Sequence, residues 1–308
     1  MSTKSRLASV KQSSFFAEDD ATSNAPSSAV AISSEDHSFL AGLLRRRSGL
    51  SITAEKSRLV ERRLEPIAAR HGYKDVGDLL RGLRQATDSL CQTVTEAMTV
   101  HDTAFFRDAA TFAAFRNAIL PEMMKARRRQ KALRIWCAGA STGQEPYSLA
   151  MILDSTPRLA GWTVDLIASD IDSEVVARAR QGIYSRFEVQ RGLPIQLLAR
   201  HFQQHGEDFR LASALRERVQ FSAFNLLDSF SVLGRLDVIF CRNVLMYFDR
   251  QAKQDVLARL SDALAPDGYL VLGAAETVIG SSNVFAPMRK APGIYAKTGG
   301  SHSRATMG

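Results

Sequence analysis

Cysteine is scarce in this chain: three residues in 308, at positions 91, 137 and 241, far apart and with no CxxC pair. That excludes a disulfide framework and gives no support to a zinc site, and it suits a reducing cytosol. Long apolar runs are missing as well. Nothing approaches the ~18 consecutive apolar residues of a spanning helix, and Lys4 and Arg6 have no hydrophobic segment behind them, so the protein is expected to be cytoplasmic, with neither anchor nor leader. The two common phosphate cradles, Gly-x-Gly-x-x-Gly and Gly-x-x-x-x-Gly-Lys-[Ser/Thr], do not occur, nor does any Pro-Pro or Pro-Cys pair. Negative charge is outweighed, with 32 acidic against 40 basic side chains and a net charge of +8. Such a balance favours an acidic partner without saying whether it is nucleic acid, an anionic membrane or an acidic protein face.

What is present is ordinary globular composition, 45% hydrophobic and 23% charged, enough to bury the core of two domains. Residues 1–33 are rich in Ser and Ala without sustained periodicity and read as a disordered arm. From Ser34 to about residue 104 the pattern is helical. SSEDHSFLAGLLRRRSGL has a capping serine and apolar positions at Phe39, Leu40, Leu43 and Leu44. In the next helix Leu59, Leu64 and Ile67 form the apolar side, with Arg58, Arg62 and Arg63 largely off it. Residues 105–130 connect this unit to a second one, 131–297, in which strand and helix alternate as in a parallel sheet with crossover helices. Strands are expected at Leu133–Cys137, Val164–Ser169, Val219–Phe224, Leu236–Cys241 and Tyr269–Gly273, with a helix ending sharply at Pro266 and Gly268. The stretch 183–219 is too long for a bare loop and is expected to be an inserted subdomain. Residues 298–308 read as a flexible tail.

The stretch AGASTGQEPYSLA, residues 138–150, follows an apolar strand and opens a helix, where many α/β proteins hold a ligand. A carboxylate at that helix start, Glu145, would repel a pyrophosphate and attract a cationic or donor-rich ligand such as S-adenosylmethionine; it would equally serve as a favourable first-turn acid. The next strand ends in Asp170 and Asp172. Asp170 is placed to accept hydrogen bonds from both hydroxyls of a ribose, whereas Asp172 is better explained as the cap of the following helix. The fourth strand runs from an apolar segment straight into Cys241, Arg242 and Asn243, and a buried Arg242 requires a partner.

In their order and wording, TAFFR (103–107), ASTGQEPYS (140–148), ASDID (168–172), NLL (225–227) and FCRNVLMYFD (240–249) make this chain resemble the CheR-type chemoreceptor glutamate methyltransferases over residues 34 to 297. The resemblance implies an all-α N-terminal domain, a Rossmann-like methyltransferase domain and a small antiparallel β-subdomain inserted in it. It implies methyl esterification of glutamates in the cytoplasmic helical region of chemotaxis receptors, with S-adenosylmethionine as donor, S-adenosylhomocysteine as product and no metal, at receptor clusters on the inner face of the membrane. The family's cofactor contacts fall on Thr103, Arg107, Glu145, Asp170, Asn225, Leu226, Cys241 and Arg242, with Asn243 beside them, and Tyr247 matches an active-site tyrosine. His101 departs from the asparagine of many relatives but keeps a donor. A second departure is the inserted subdomain's HFQQHGEDFRLA, which has only Gly206 where tail-binding relatives carry Gly-x-Gly, pointing to the pentapeptide-independent subclass.

The chemistry demands little. A glutamate with a pKa near ~4.3 is already ionised at neutral pH, so alignment matters more than a general base, and Arg107 and Tyr247 are expected to orient rather than activate. Arg107 suits the cofactor carboxylate, the substrate glutamate, or both. Phe105 and Phe106 read as core. The basic helix with Arg58, Arg62 and Arg63 is expected to meet an acidic receptor rod. Among rivals, an amino-group nucleic-acid methyltransferase would need [Asp/Asn]-Pro-Pro-[Tyr/Phe/Trp] where this chain has CRNV. A non-catalytic S-adenosylmethionine-binding scaffold or signalling protein would keep the cofactor residues, and the presence of Arg107 and Tyr247 argues against it.

Overall fold

The computed structural model describes residues 32–288 and 291–298. The expected N-terminal arm, apart from Ile32 and Ser33, and the expected tail, apart from Thr298, lie outside the described residues.

Four helices form the first unit: α1 (Ser34–Ser48), α2 (Ser57–Arg70), α3 (Val76–Gly82) and α4 (Asp88–Ala97). Ser33 caps α1 by accepting the Asp36 N–H at 3.1 Å, and Gly49 ends it in the left-handed region at φ +75°. Leu40, Leu44, Val60, Leu64, Leu79, Leu80 and Val94 make a closed core. The buried side of α2 is Val60, Leu64, Ile67 and Ala68 rather than a stripe starting at Leu59, which is only half-buried. The i, i+4, i+7, i+8 spacing of those four selects Val60.

α5 (Ala109–Ala114), a wide π turn at Phe115–Ile119 and α6 (Leu120–Ala126) lead into β1 (Ala132–Ala138). Then come α7 (Gln144–Asp154), β2 (Thr163–Asp170), α8 (Ser173–Gln181), β3 (Ile183–Tyr184), α9 (Arg186–Gln190), α10 (Ile195–His201), β4 (Phe202–His205), β5 (Asp208–Leu211), α11 (Ser213–Arg216), β6 (Val219–Ala223), β7 (Leu236–Cys241), α12 (Arg250–Ala263), β8 (Leu264–Leu272), β9 (Phe285–Pro287) and β10 (Ile294–Lys297). The main sheet has seven strands in the order β6-β2-β1-β7-β8-β10-β9, parallel from β6 to β8 and antiparallel through β10 and β9. Successive strands step one way from β1 to β2 and β6, and the other way from β7 to β8. The crevice outside the carboxyl ends of β1 and β7 is therefore the topological switch point.

Both faces of the sheet are covered, which explains the near-continuous apolar strands. On β1, Leu133, Ile135 and Cys137 join one core and Trp136 and Ala138 the other; on β7, Val238 and Phe240 join the first, Ile239 and Cys241 the second. β3, β5 and β4 form a separate three-stranded antiparallel sheet, the inserted subdomain, whose β4–β5 hairpin turns on Gly206 at φ +64° between the paired His205 and Asp208.

β8 begins earlier than expected. Leu236 pairs with Leu264 and then Val238 with Tyr269, so residues 265–268 bulge out of the ladder. Pro266 has no N–H to contribute, and a Cβ on Gly268 would lie 2.7 Å from the Asp237 carbonyl oxygen. These two residues mark a bulge inside a strand, not the end of a helix.

Candidate active site

The turn after β1 is built for close approach. Ser141 (φ +50°), Gly139 (φ +75°) and Gly143 (φ +94°) all adopt the left-handed region, and a side chain on Gly143 would press on Ala179, Tyr147 and Tyr184 at 3.1 Å. The N–H groups of Gly139 and Ala140 donate to the Ser169 carbonyl at 2.8 and 2.9 Å, and Ser141 N–H donates to an Asp170 oxygen at 2.8 Å. The strand-to-helix turn is thereby fastened to the end of β2.

Asp170 also accepts the Asp172 N–H at 3.2 Å, yet each carboxylate oxygen has a further lone pair, so its acceptor capacity is not exhausted. Burial raises its pKa above the usual carboxylate value. Asp172 caps α8, taking the N–H groups of Glu174 and Val175 at 2.8 and 3.2 Å. Burial pushes Asp172 up, but the His101 hydrogen bond and these N–H groups outweigh it and hold its pKa below normal. His101 Nε2 lies 3.0 Å from Asp172 and 2.7 Å from the Thr99 hydroxyl, and the His101 carbonyl accepts from the Ser141 hydroxyl at 3.1 Å. The segment between the helical unit and the sheet is thus latched onto β2. The buried Nδ1 of His101 has no partner within the described residues.

Glu145, in the first turn of α7, is not a lone anion. Arg242, only 2% exposed at its side chain, donates to Glu145 at 2.8 Å, to Asp108 at 2.5 Å and to the Arg107 carbonyl at 2.9 Å, and its guanidinium lies 5.6 Å from the centre of the Phe112 ring. Burial raises the Glu145 pKa while Arg242 opposes the shift. The same arginine ties down a strained turn in which Phe106 (φ +50°) and Asp108 (φ +60°) flank Arg107. Phe105 is fully buried in the core, as expected, and Phe106 packs against it half-buried. Arg107 itself donates to the Asp102 carbonyl at 2.7 Å, and the Asp102 carboxylate pairs at 2.8 Å with Arg191 of the inserted subdomain.

After β7 the chain turns through Asn243 (φ +58°) into a short 3₁₀ turn, Leu245–Tyr247. Here the helical unit touches the sheet unit directly. Ser51 N–H donates to the Tyr247 carbonyl at 2.8 Å, Leu50 and Phe248 form an antiparallel bridge, Arg45 pairs with Asp249 at 2.6 Å, and Asn225 donates to the Arg47 carbonyl at 2.5 Å. Asn225 also accepts the Leu227 N–H at 3.0 Å, so its amide is engaged in fixing the loop after β6. Burial raises the Tyr247 pKa, with Arg107 opposing the shift, which keeps the phenol protonated at neutral pH.

These parts enclose a cleft of about 890 Å³, its open mouth included. His101, Thr103, Arg107, Glu145, Asp170, Asn225, Leu226, Arg242, Asn243 and Tyr247 all line it. Cys241 does not. Its side chain is fully buried in the α12-side core, the face that alternation along β7 assigns to it. Arg58, Arg62 and Arg63 lie outside the lining, and Arg63 bonds the Thr99 and Ala97 carbonyls at 2.5 and 3.4 Å, closing the end of α4. Arg58 and Arg62 are exposed. Two contributors escape sequence reasoning, the wall formed by Ser48 and Leu50 and the buried carboxylate of Glu276, which accepts backbone N–H groups after β7. Neither lies in a string that advertises chemistry.

The donor set fits S-adenosylmethionine: an underused buried acid at the end of β2 for ribose, a backbone turn with no phosphate cradle, and polar groups at the end of β7. Residues 101–294 match the model of the CheR methyltransferase S-adenosylmethionine-binding domain, and residues 35–99 that of the CheR methyltransferase all-alpha domain. Chemotaxis protein methyltransferase 1 of Pseudomonas aeruginosa is 37% identical over 258 residues, spanning 82% of this chain and 93% of the relative. The chemotaxis protein methyltransferase of Salmonella typhimurium is 39% identical over 240 residues, 76% of this chain and 81% of the relative. The chain belongs to the CheR family, S-adenosylmethionine-dependent methyltransferases that modify chemotaxis receptors.

Proposed function

We propose that this enzyme esterifies glutamate side chains on the cytoplasmic helical region of methyl-accepting receptors, working at receptor clusters on the inner face of the membrane. The observation that carries this reading is the convergence of Asp170, Glu145 with Arg242, Arg107 and Tyr247 on one cleft at the switch point. Bound S-adenosylmethionine supplies an electrophilic methyl group. Asp170 takes the ribose hydroxyls, and Thr103, Asn225, Leu226 and Asn243 border the rest of the ligand. Cys241, outside the lining, has no part in this assignment. Tyr247 and Arg107, at the wall shared with the helical unit, orient the incoming carboxylate. A carboxylate nucleophile needs no base, so what these residues supply is an in-line approach at roughly 3–3.5 Å. Arg107 has a carbonyl and a carboxylate of Asp102 as present partners, and it exchanges them for the ligand's or the substrate's carboxylate.

The test is incubation with radiolabelled S-adenosylmethionine and receptor-containing membranes. Base-labile label released as methanol is the expected product, and base-stable label would refute an ester. The single Gly206 of the β4–β5 hairpin supports pentapeptide independence, so receptors with and without their C-terminal pentapeptide should be labelled at equal rates. Micromolar binding of the isolated pentapeptide would overturn that subclass. Exposed Arg58 and Arg62 suit an acidic helix. Arg62→Glu should raise the receptor KM about ten-fold at low salt, flatten its salt dependence and spare S-adenosylmethionine affinity. Unchanged receptor kinetics would reduce α2 to a solvated face.

A further inference from the structure

Glu276 lies between β8 and β9, outside the five strings that carry the family resemblance, and is 6% exposed. Its carboxylate collects four backbone N–H groups: Asn243 at 2.6 Å and Gly273 at 2.8 Å on one oxygen, Val244 at 3.0 Å and Met246 at 3.1 Å on the other. Among the described residues it forms no ion pair, so main-chain dipoles alone hold its charge. Three of the donors belong to the few residues between the end of β7 and Tyr247, and the first, Asn243, sits at φ +58°, a conformation that persists only where the surroundings over-determine it. The fit is tight. A Cβ on Gly273 would come within 2.7 Å of the Asn243 side-chain nitrogen, Nδ2, and 2.9 Å of the Glu276 carboxylate.

Glu276 is not part of the cleft lining, although two of its donors, Asn243 and Val244, belong to residues that are. What it grips is the backbone that delivers Tyr247. From the other side the Tyr247 carbonyl takes the Ser51 N–H at 2.8 Å. The tyrosine therefore rides on a short loop clamped between a buried carboxylate and the helical unit. Without that carboxylate, three adjacent N–H groups would lose their acceptor, and the left-handed turn at Asn243 would lose the contacts that fix it.

We propose that Glu276 is a positioning residue for methyl transfer, acting through main-chain hydrogen bonds on the loop that presents Tyr247. This rests on the reading of Tyr247 as a residue that orients the reacting groups. Glu276→Gln preserves shape and one acceptor oxygen but turns an NH₂ group against two of the N–H donors. Compared at saturating S-adenosylmethionine and receptor, with folding monitored by circular dichroism, Glu276→Gln should lower kcat about ten-fold. Tyr247→Phe should also lower kcat. The double variant should be about as slow as the slower single one, because both changes remove the same contribution. A wild-type kcat for Glu276→Gln, or losses that multiply in the double variant, would overturn the proposal while leaving the role of Tyr247 standing. A wild-type kcat for Tyr247→Phe would sink the reading of the tyrosine itself, and the inference with it. If Glu276→Gln does not fold, Gly273→Ala, which drives a methyl group against the same carboxylate, replaces it in the cycle and is held to the same outcomes.

Discussion

The two ends of the parallel sheet treat buried charge in opposite ways. At the amino end, Arg127 donates to Asp237 at 2.7 Å and makes two bonds to Asp267 at 2.7 and 2.6 Å, while Asp237 also takes the Arg134 N–H at 2.8 Å. Every charge has an opposite, and the bond to Asp267 raises the Arg127 pKa against the cost of burial. At the carboxyl end, four carboxylates are buried, Glu145, Asp170, Asp172 and Glu276, and Arg242 pairs with Glu145 alone among them; Asp170 and Glu276 depend on backbone N–H groups, and Asp172 on backbone N–H groups and His101. Glu145 and Asp170 bear the expected penalty, pKa values raised by burial. The foot of the sheet is electrostatically closed and serves stability. The rim keeps acidic acceptors in reserve, which is what a ligand site requires and a purely structural bridge does not.

The strongest way to break this contrast is Arg242→Met. It strands Glu145 as a buried, uncompensated carboxylate and releases the strained turn around Arg107. Loss of one partner of a buried pair costs about 3–5 kcal/mol, so Tm should fall by about 10 °C with methylation abolished. A drop of under ~2 °C with activity retained would mean that Arg242 is dispensable to both. At the foot, Arg127→Met should destabilise by about 2 kcal/mol, less because the partners are partly solvated. Its kcat per folded molecule should stay within about two-fold of wild type, and a parallel fall in kcat would erase the distinction between the two ends. The smallest change sharpens the picture. Asp170→Asn removes a charged acceptor and should weaken S-adenosylmethionine about ten-fold, roughly 1.4 kcal/mol, by calorimetry. The ionised form of Asp170 is the better acceptor and its pKa is raised. Wild-type affinity should therefore be full above that raised pKa and decline as pH falls through it, at higher pH than an ordinary carboxylate would give. The Asp170→Asn variant should lose that component, and an identical pH profile in the two proteins would exclude Asp170 as its origin.

Much of the fold and part of the site were legible in the sequence, for a reason particular to each. The ends of β1, β2 and β7 combine strong apolar runs with polar residues at fixed positions, so Glu145, Asp170 and Arg242 could be placed on the rim from local strings alone. Arg242 was expected to need a partner; that it has three, two of them, Asp108 and the Arg107 carbonyl, more than a hundred residues away, is long-range information. Cys241 was carried over from the family's cofactor contacts, yet the period-two pattern of β7 puts it on the face of Ile239, opposite Val238 and Phe240. Arg63 looked like its exposed neighbours because helical spacing does not reveal the Thr99 carbonyl that it meets. Pro266 and Gly268 read as a helix stop because their punctuation signature is shared by a bulge. Glu276 was invisible: its role depends on four N–H groups gathered by the pairing of β7 with β8, and no single-sequence pattern encodes them.

The bridge between Leu50 and Phe248 bears on how this protein can be cut and recombined. Ser48 and Leu50 supply part of the cleft wall, and Ser51 holds the backbone of Tyr247. The helical unit is therefore not a detachable adaptor. A fragment that begins at residue 101 would carry every residue of the recognised cofactor strings and still present an open, one-sided groove with apolar surface exposed to water. In chimaeras that exchange substrate preference between relatives, the junction that preserves turnover should keep residues 48–51 and 247–249 from the same parent, wherever else the genes are joined.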